Sequence, residues 1–176
     1  MEKEFIKTLI QQLNQSGVKY AFTGGFVLPY YGFPKASLDV DVIIERNKAN
    51  LLFLARRLRE KGFSILDSDI EKAVENCEHF AVFYKNQFPY FDFKVVCDVF
   101  DEFALSNYNT VNYHGVKCRF VSPEVLIVKK IEWEDYKDVR TILQRYRKKL
   151  DMKKLTRLAK ARNIYDKLQQ LLEEVK

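Results

Sequence analysis

Ser37-Leu38-Asp39-Val40-Asp41-Val42-Ile43-Ile44 is the stretch on which the reading of this chain turns. Apart from the serine and the two aspartates its residues are apolar and mostly β-branched, the composition of a strand buried on one face. Side chains alternate along a strand, so Asp39 and Asp41 share a face with their Cα atoms roughly 6.6 Å apart. Leu38, Val40, Val42 and Ile44 take the opposite face and enter the core. Upstream, Val18-Lys19-Tyr20-Ala21-Phe22-Thr23 reads as another short strand, closed by Gly24-Gly25 and followed by a short helix or turn over Phe26-Val27-Leu28-Pro29-Tyr30-Tyr31-Gly32.

Two carboxylates side by side on an apolar strand repel each other and resist burial. A hard divalent cation relieves both difficulties. Adjacent glycines after a strand let the backbone approach a ligand and turn its N–H groups towards an anion, and a helix starting there adds its positive end. With Lys35 nearby, these features predict a phosphate-plus-metal site.

The run Thr23-Gly24-Gly25, then Tyr31-Gly32-Phe33-Pro34-Lys35-Ala36-Ser37-Leu38-Asp39-Val40-Asp41, resembles the minimal nucleotidyltransferases of the polymerase-beta-like superfamily. Ser122-Pro123-Glu124-Val125-Leu126-Ile127-Val128-Lys129-Lys130-Ile131, with Lys137-Asp138-Val139 beyond it, is similar to the helix that follows the catalytic core in AbiEii-type toxins and their uncharacterised relatives. The resemblance covers most of residues 18–143. It departs from the pattern at Gly25, where many members carry a serine, at Lys35 for arginine and at Ser37 for threonine. Lysine lacks the guanidinium fork that grips phosphate in a bidentate manner.

The resemblance implies transfer of a nucleoside monophosphate from a nucleoside triphosphate such as ATP to a hydroxyl of a protein, a tRNA or a small molecule. It makes Asp39, Asp41 and a third acid the catalytic and metal-holding residues, with Mg²⁺ or Mn²⁺ as cofactor. Thr23, Gly24, Gly25, Lys35, Ser37 and Lys130 would bind the nucleotide. The third acid is expected on a strand over Phe91–Phe100. Asp98, deep in that apolar run, fits best, Asp101 is the runner-up, and Asp92 would lie about 20 Å from Asp98 at strand rise. Two other classes stay open: a catalytically silent nucleotide-binding member of a toxin–antitoxin pair, or an RNA-binding module.

With 176 residues and 47% hydrophobic content the chain can build a real core. No apolar run reaches membrane-spanning length, and Met1-Glu2-Lys3-Glu4-Phe5 does not read as a secretory signal, so a cytoplasmic protein is expected. Cys77, Cys97 and Cys118 show neither zinc spacing nor a disulfide framework. His79 has no Cys, His or Asp at ligand spacing in the sequence, which gives it either a structural role or one beside a site rather than a place among metal ligands, and His114 reads as a turn residue. Arg145, Arg147, Lys148, Lys149, Lys153, Lys154, Arg157, Lys160 and Arg162 crowd the tail with Asp151 as the one acid among them. They make either a polyanion patch, RNA included, or the wet face of packed helices.

Helices are expected over residues 5–16, stopped by Gly17, and 47–61, stopped by Gly62, with a shorter one from Asp69 to Glu75. Strands are expected near 18–23, 37–45, 63–66, 78–85 and 91–100, then a hairpin around His114-Gly115. Ser122 and Pro123 open a helix, and the remainder is helical with breaks near Tyr136 and Asp151. The architecture is α+β: a mixed sheet flanked by helices with a C-terminal helical tail. Residues 1–121 form the core, and 122–176 a helical segment packed on it, as one compact domain overall.

Overall fold

The computed structural model describes residues 2–33, 35, 37, 39–85 and 87–175, and not the side chains of Glu2, Gln87, Phe88 and Pro89. Leu38, expected on the core face of the aspartate strand, lies outside the described residues, as do Pro34 and Ala36. The chain divides into two compact units, one of Met1–Phe26 with Ala36–Val121 and one of Val27–Lys35 with Ser122–Lys176. The segment from Val27 to Lys35 thus clusters with the C-terminal helices rather than with the core that surrounds it in sequence.

The first unit holds a seven-stranded mixed sheet. Its strands are β1 (Tyr20–Phe22), β2 (Asp39–Ile44), β3 (Phe63–Ser64), β4 (His79–Tyr84), β5 (Gln87–Val95), β6 (Tyr108–Tyr113) and β7 (Val116–Val121), in the spatial order β3-β4-β5-β2-β1-β7-β6. β2 runs parallel to β5 and antiparallel to β1, and β1 runs parallel to β7. The helices of this unit are α1 (Glu2–Ser16), α3 (Lys48–Glu60), α4 (Asp67–Asn76) and α5 (Val99–Ser106), while the single turn α2 (Gly24–Val27) carries the chain into the second unit. Gly17 and Gly62, at φ of 73° and 86°, close α1 and α3 in a conformation that costs glycine little. His114 and Gly115 both adopt positive φ in the two-residue turn between β6 and β7.

One face of the central strands is fully apolar. Val40, Val42 and Ile44 pair across β2–β5 with Phe91, Phe93 and Val95, and all six are buried. Phe5 of α1 covers this face, its ring 6.0 Å from that of Phe91. Truncating one of these phenylalanines to alanine would cost about 3–5 kcal/mol.

The expected strand over 91–100 is corrected at both ends. β5 starts earlier and stops at Val95, and Val99 to Ser106 is helical. The reason is a cap: Asp98 accepts a hydrogen bond from Asp101 N at 2.7 Å, and Asp101 and Glu102 occupy the first turn, where acids favour a helix start. Cys97 therefore lies in the connection rather than in the strand, its thiol donating to Val95 O at 3.2 Å.

The second unit carries a 3₁₀ turn (Leu28–Tyr31) and α6 (Pro123–Glu132), α7 (Tyr136–Tyr146), α8 (Met152–Ala161) and α9 (Tyr165–Glu174). Pro123 occupies the first helical position of α6, but Ser122 makes no side-chain cap and instead accepts a hydrogen bond from Lys154 Nζ. The tail breaks once more than expected, at 162–164. Arg145 donates to Gly32 O at 3.0 Å and the Tyr31 and Tyr146 rings meet edge to face, which anchors the 27–35 segment to α7. Among the described residues no helix is long and apolar enough to cross a membrane.

Candidate active site

The face of the sheet opposite the apolar one carries the acids. Asp39 pairs across the parallel ladder with Tyr90, and Asp41 with Asp92. Adjacent strands lie about 4.8 Å apart, so Asp41 and Asp92 are direct neighbours on one face, with Asp39 two residues along. The Tyr90 phenol registers the cluster: its pKa is raised, first by desolvation and then by the negative charges of Asp39, Asp92 and Asp41.

β4 adds a histidine to this face. Ala81 pairs with Asp92 and His79 with Lys94, which puts His79 diagonally across from Asp92. Its Nδ1 lies 2.8 Å from Asp92 Oδ2. That hydrogen bond raises the His79 pKa against the opposing pull of desolvation.

The glycine turn sits directly against the acids. Thr23 N donates to Asp41 O at 2.9 Å. Gly24 has φ of 64°, and a Cβ there would fall 1.7 Å from Asp41 Oδ2. Only glycine leaves room for that carboxylate. A Cβ on Gly25 would lie 2.7 Å from Ser37 Oγ, and Ser37 Oγ donates to Asp39 Oδ1 at 2.8 Å. The same residues thus set the turn and orient both aspartates. Thr23 Oγ1 is buried and has no hydrogen-bond partner among the described residues, a state that costs about 1–3 kcal/mol while it lasts. The helix that begins at Gly24 is one turn long, too short to supply the dipole expected of it, because the macrodipole sums over many peptides.

Asp98 does not join this face. It lies outside β5, exposed, as the cap of α5. Asp101 is buried and bound to Lys94 Nζ and Cys97 N. The residue that the ladder brings beside Asp41 is Asp92. Its signal was the alternation Phe91-Asp92-Phe93-Lys94-Val95, which repeats the pattern of Asp39-Val40-Asp41.

Lys35 and Lys130 belong to the second unit, where they share one carboxylate. Lys130 Nζ lies 2.6 Å from both Asp135 Oδ2 and Asp138 Oδ2, and Lys35 Nζ lies 2.7 Å from Asp138 Oδ2. Lys130 and Asp138 are both buried. Desolvation pushes the Asp138 pKa up, but the hydrogen bonds from Lys130 and Lys35 outweigh it and hold the carboxyl below its ordinary value. The buried Lys130 thus has two carboxylate partners of its own unit.

Asp39, Asp41 and Asp92 offer only carboxylate oxygens, the donors that Mg²⁺ and Mn²⁺ prefer, and the bare Cα of Gly24 leaves space at Asp41 that any side chain would fill. Among the described residues no three His, Cys, Asp or Glu side chains are gathered closely enough to hold a metal ion as they stand, and Asp39 and Asp92 each have a protein partner. The donor chemistry fits a hard divalent ion, with the carboxylates held ready by Ser37 and His79.

No protein-family model and no curated protein sequence matches the chain. Solved structures do. An antigenic nucleotidyltransferase-like protein from Paracoccidioides brasiliensis superposes with a TM-score of 0.56 at 17% identity, over 97% of this chain and 91% of that one. The antibiotic-resistance factor ANT(2'')-Ia superposes with a TM-score of 0.58 at 13% identity, over 96% of this chain and 95% of that one. The Megavirus polyadenylate synthase gives a TM-score of 0.50 at 16% identity, over 82% of this chain but 30% of its own length. The fold is that of the nucleotidyltransferases.

Proposed function

We propose that this protein is a metal-dependent nucleotidyltransferase that moves a nucleoside monophosphate from a triphosphate to an acceptor hydroxyl, with its reacting groups in the first unit. The observation that carries this reading is the interlock of Gly24 with the Asp41 carboxylate, beside Asp39 and Asp92 on one open sheet face. The shared fold supports it, as does the solved complex of ANT(2'')-Ia with adenylyl-2''-tobramycin.

Asp39 and Asp41 would hold the Mg²⁺ or Mn²⁺, with Asp92 as the third carboxylate. When bound, that ion supplies charge neutralisation at the phosphates and eases ionisation of the acceptor hydroxyl. The Gly24-Gly25 turn admits phosphate oxygens close to the backbone, and Thr23 Oγ1 has a hydrogen bond to give. Asp92 accepts the proton of the acceptor hydroxyl as general base. The acceptor oxygen then bonds to the α-phosphorus as the bond to the bridging oxygen breaks, and pyrophosphate leaves.

A second reading of the acceptor, as RNA, is favoured by α8. Lys153, Arg157 and Lys160 are exposed there on a shallow surface that Met152 and Thr156 complete.

Incubation with each labelled triphosphate, Mg²⁺ and a cell lysate tests the main reading. Label should pass to one class of acceptor with the parent protein and not with Asp41→Asn. No transfer, together with no Mg²⁺-dependent triphosphate binding, would overturn it. Binding without transfer would point to a catalytically silent member of the fold.

A further inference from the structure

Asp92 faces a difficulty that Asp39 and Asp41 do not share. Ser37 steadies Asp39, and the Gly24 backbone shapes the space for Asp41. Asp92 sits directly across the ladder from Asp41. Two carboxylates at strand spacing repel, and an unrestrained Asp92 would relieve that by rotating towards water.

His79 supplies the restraint. Diagonal neighbours on a sheet face lie roughly 7–8 Å apart, within reach of a longer side chain, and the His79 Nδ1 to Asp92 Oδ2 distance of 2.8 Å closes that gap. Half of the His79 side chain and 27% of the Asp92 side chain are exposed. Pairs this wet add little to stability, so the hydrogen bond is not explained as a support of the fold. What it does is choose an orientation. It engages one carboxylate oxygen and leaves Asp92 Oδ1 for the open face. Lys94, the direct partner of His79, cannot take over, because its ammonium is bound to the buried Asp101.

We propose that His79 is a positioning residue that holds the Asp92 carboxylate in its working orientation beside Asp41, through the hydrogen bond from Nδ1. This rests on the acid-face reading above and adds a residue to it. In this reading His79 acts only through Asp92.

Two measurements test it. The first is metal-free: the chain has two histidines, so ¹⁵N spectra of histidine-labelled protein resolve both rings. The His79 signals should report a protonated Nδ1 in the parent and shift in Asp92→Asn, with His114 unchanged. An unprotonated Nδ1, or no response to Asp92→Asn, overturns the inference. The second is Mn²⁺ affinity by calorimetry. His79→Ala should weaken it by about 10–100-fold, the usual effect of removing an outer-shell partner. His79→Asn, whose amide N–H can stand where Nδ1–H stood, should restore most of the loss. In the Asp92→Asn background, His79→Ala should add nothing. Equal Mn²⁺ affinity in His79→Ala and the parent would sink the inference alone. Tighter binding in His79→Ala would sink it too, by making the imidazole a competitor for the site. No Mn²⁺ binding by the parent would instead sink the acid-face reading, and the role of His79 with it.

Discussion

The acid face of β2 and β5 and the buried knot of α6 and α7 treat charge in opposite ways. On the sheet, like charges are crowded together and left partly open, each steadied by a neutral or weakly basic neighbour: Gly24, Ser37, His79. In the second unit, Lys130 of α6 and Lys35 of the 27–35 segment meet Asp135 and Asp138 at the start of α7, two cations with two anions. The sheet cluster sets like charges side by side, and under the reading proposed above a divalent cation would relieve their repulsion. The helical cluster pairs its charges within itself, and the stability of the second unit draws on it. A residue's charge alone does not tell which use it serves. The pairing around it does.

The contrast breaks most visibly on single neutralisations. Asp41→Asn should abolish transfer, a loss larger than the roughly 10–100-fold that follows removal of an outer-shell partner. It should leave thermal stability unchanged or slightly raised, because a repulsion is relieved. Activity assays and a melting curve on the same sample check both halves, and a large stability loss would make Asp41 a structural acid like Asp138.

Asp138→Ala should do the reverse. Removing one partner of a buried ion pair costs about 3–5 kcal/mol, read from urea unfolding. The pH dependence follows from the lowered pKa of Asp138. A carboxyl whose folded pKa lies below its unfolded value of about 3.9 stabilises fully above that value, and loses the contribution as pH falls through the folded pKa. The gap in stability between parent and Asp138→Ala should hold at neutral pH and narrow only below about pH 4.

Asp92→Asn and Asp98→Ala sharpen the comparison within one stretch of chain. Asp92→Asn should lower turnover by at least about tenfold, and by more than about 100-fold where the carboxylate binds the metal directly. Asp98→Ala should cost about 1 kcal/mol of stability through its lost cap and leave turnover alone. Steady-state assays and urea unfolding of both variants give the ranking, and the opposite order would return the third acid to Asp98.

The smallest effect is expected at α8. If the acceptor is RNA, replacing Lys153, Arg157 and Lys160 by glutamine should flatten the log–log salt dependence of binding by about 0.7 for each phosphate no longer neutralised. Gel shifts with tRNA at two salt concentrations read the slope, and the absence of any shift at low salt would remove RNA as a partner.

Much of the fold was legible because its signals are local. The alternation in Asp39-Val40-Asp41-Val42, the stops at Gly17 and Gly62 and the His114-Gly115 turn each state a conformation within a few residues. Where the chain misled, the deciding interaction was either subtle or distant. From Phe91 to Phe100 the run is apolar throughout but for Asp92, Lys94 and Asp98, with neither glycine nor proline to mark the end of β5. Asp98 ends it by capping a helix, and a cap looks like any other aspartate until its helix is seen. The partnership of Asp92 with Asp41 depends on which strands are neighbours. Strand order is a property of the whole sheet, and no window of sequence contains it. The same holds for Lys130, whose place on a helix could be read but whose burial against Asp138 could not.

The parallel pairing of β2 with β5 also bears on when the site comes into being. Parallel strands cannot be joined by a tight turn, and here α3, β3, α4 and β4 all intervene in the chain before Asp92 can lie beside Asp41. Long-range pairings of this kind form late, since the entropy of closing the loop is lost before the pairing repays it. The ladder that joins the acids therefore closes after the local β4–β5 and β6–β7 pairings, and only the parallel ladder of β1 with β7, which brings Phe22 to Phe120, spans more of the chain. A nascent chain carries Asp39 and Asp41 apart from Asp92, and the crowded charge that would attract a cation exists only once β2 and β5 have paired.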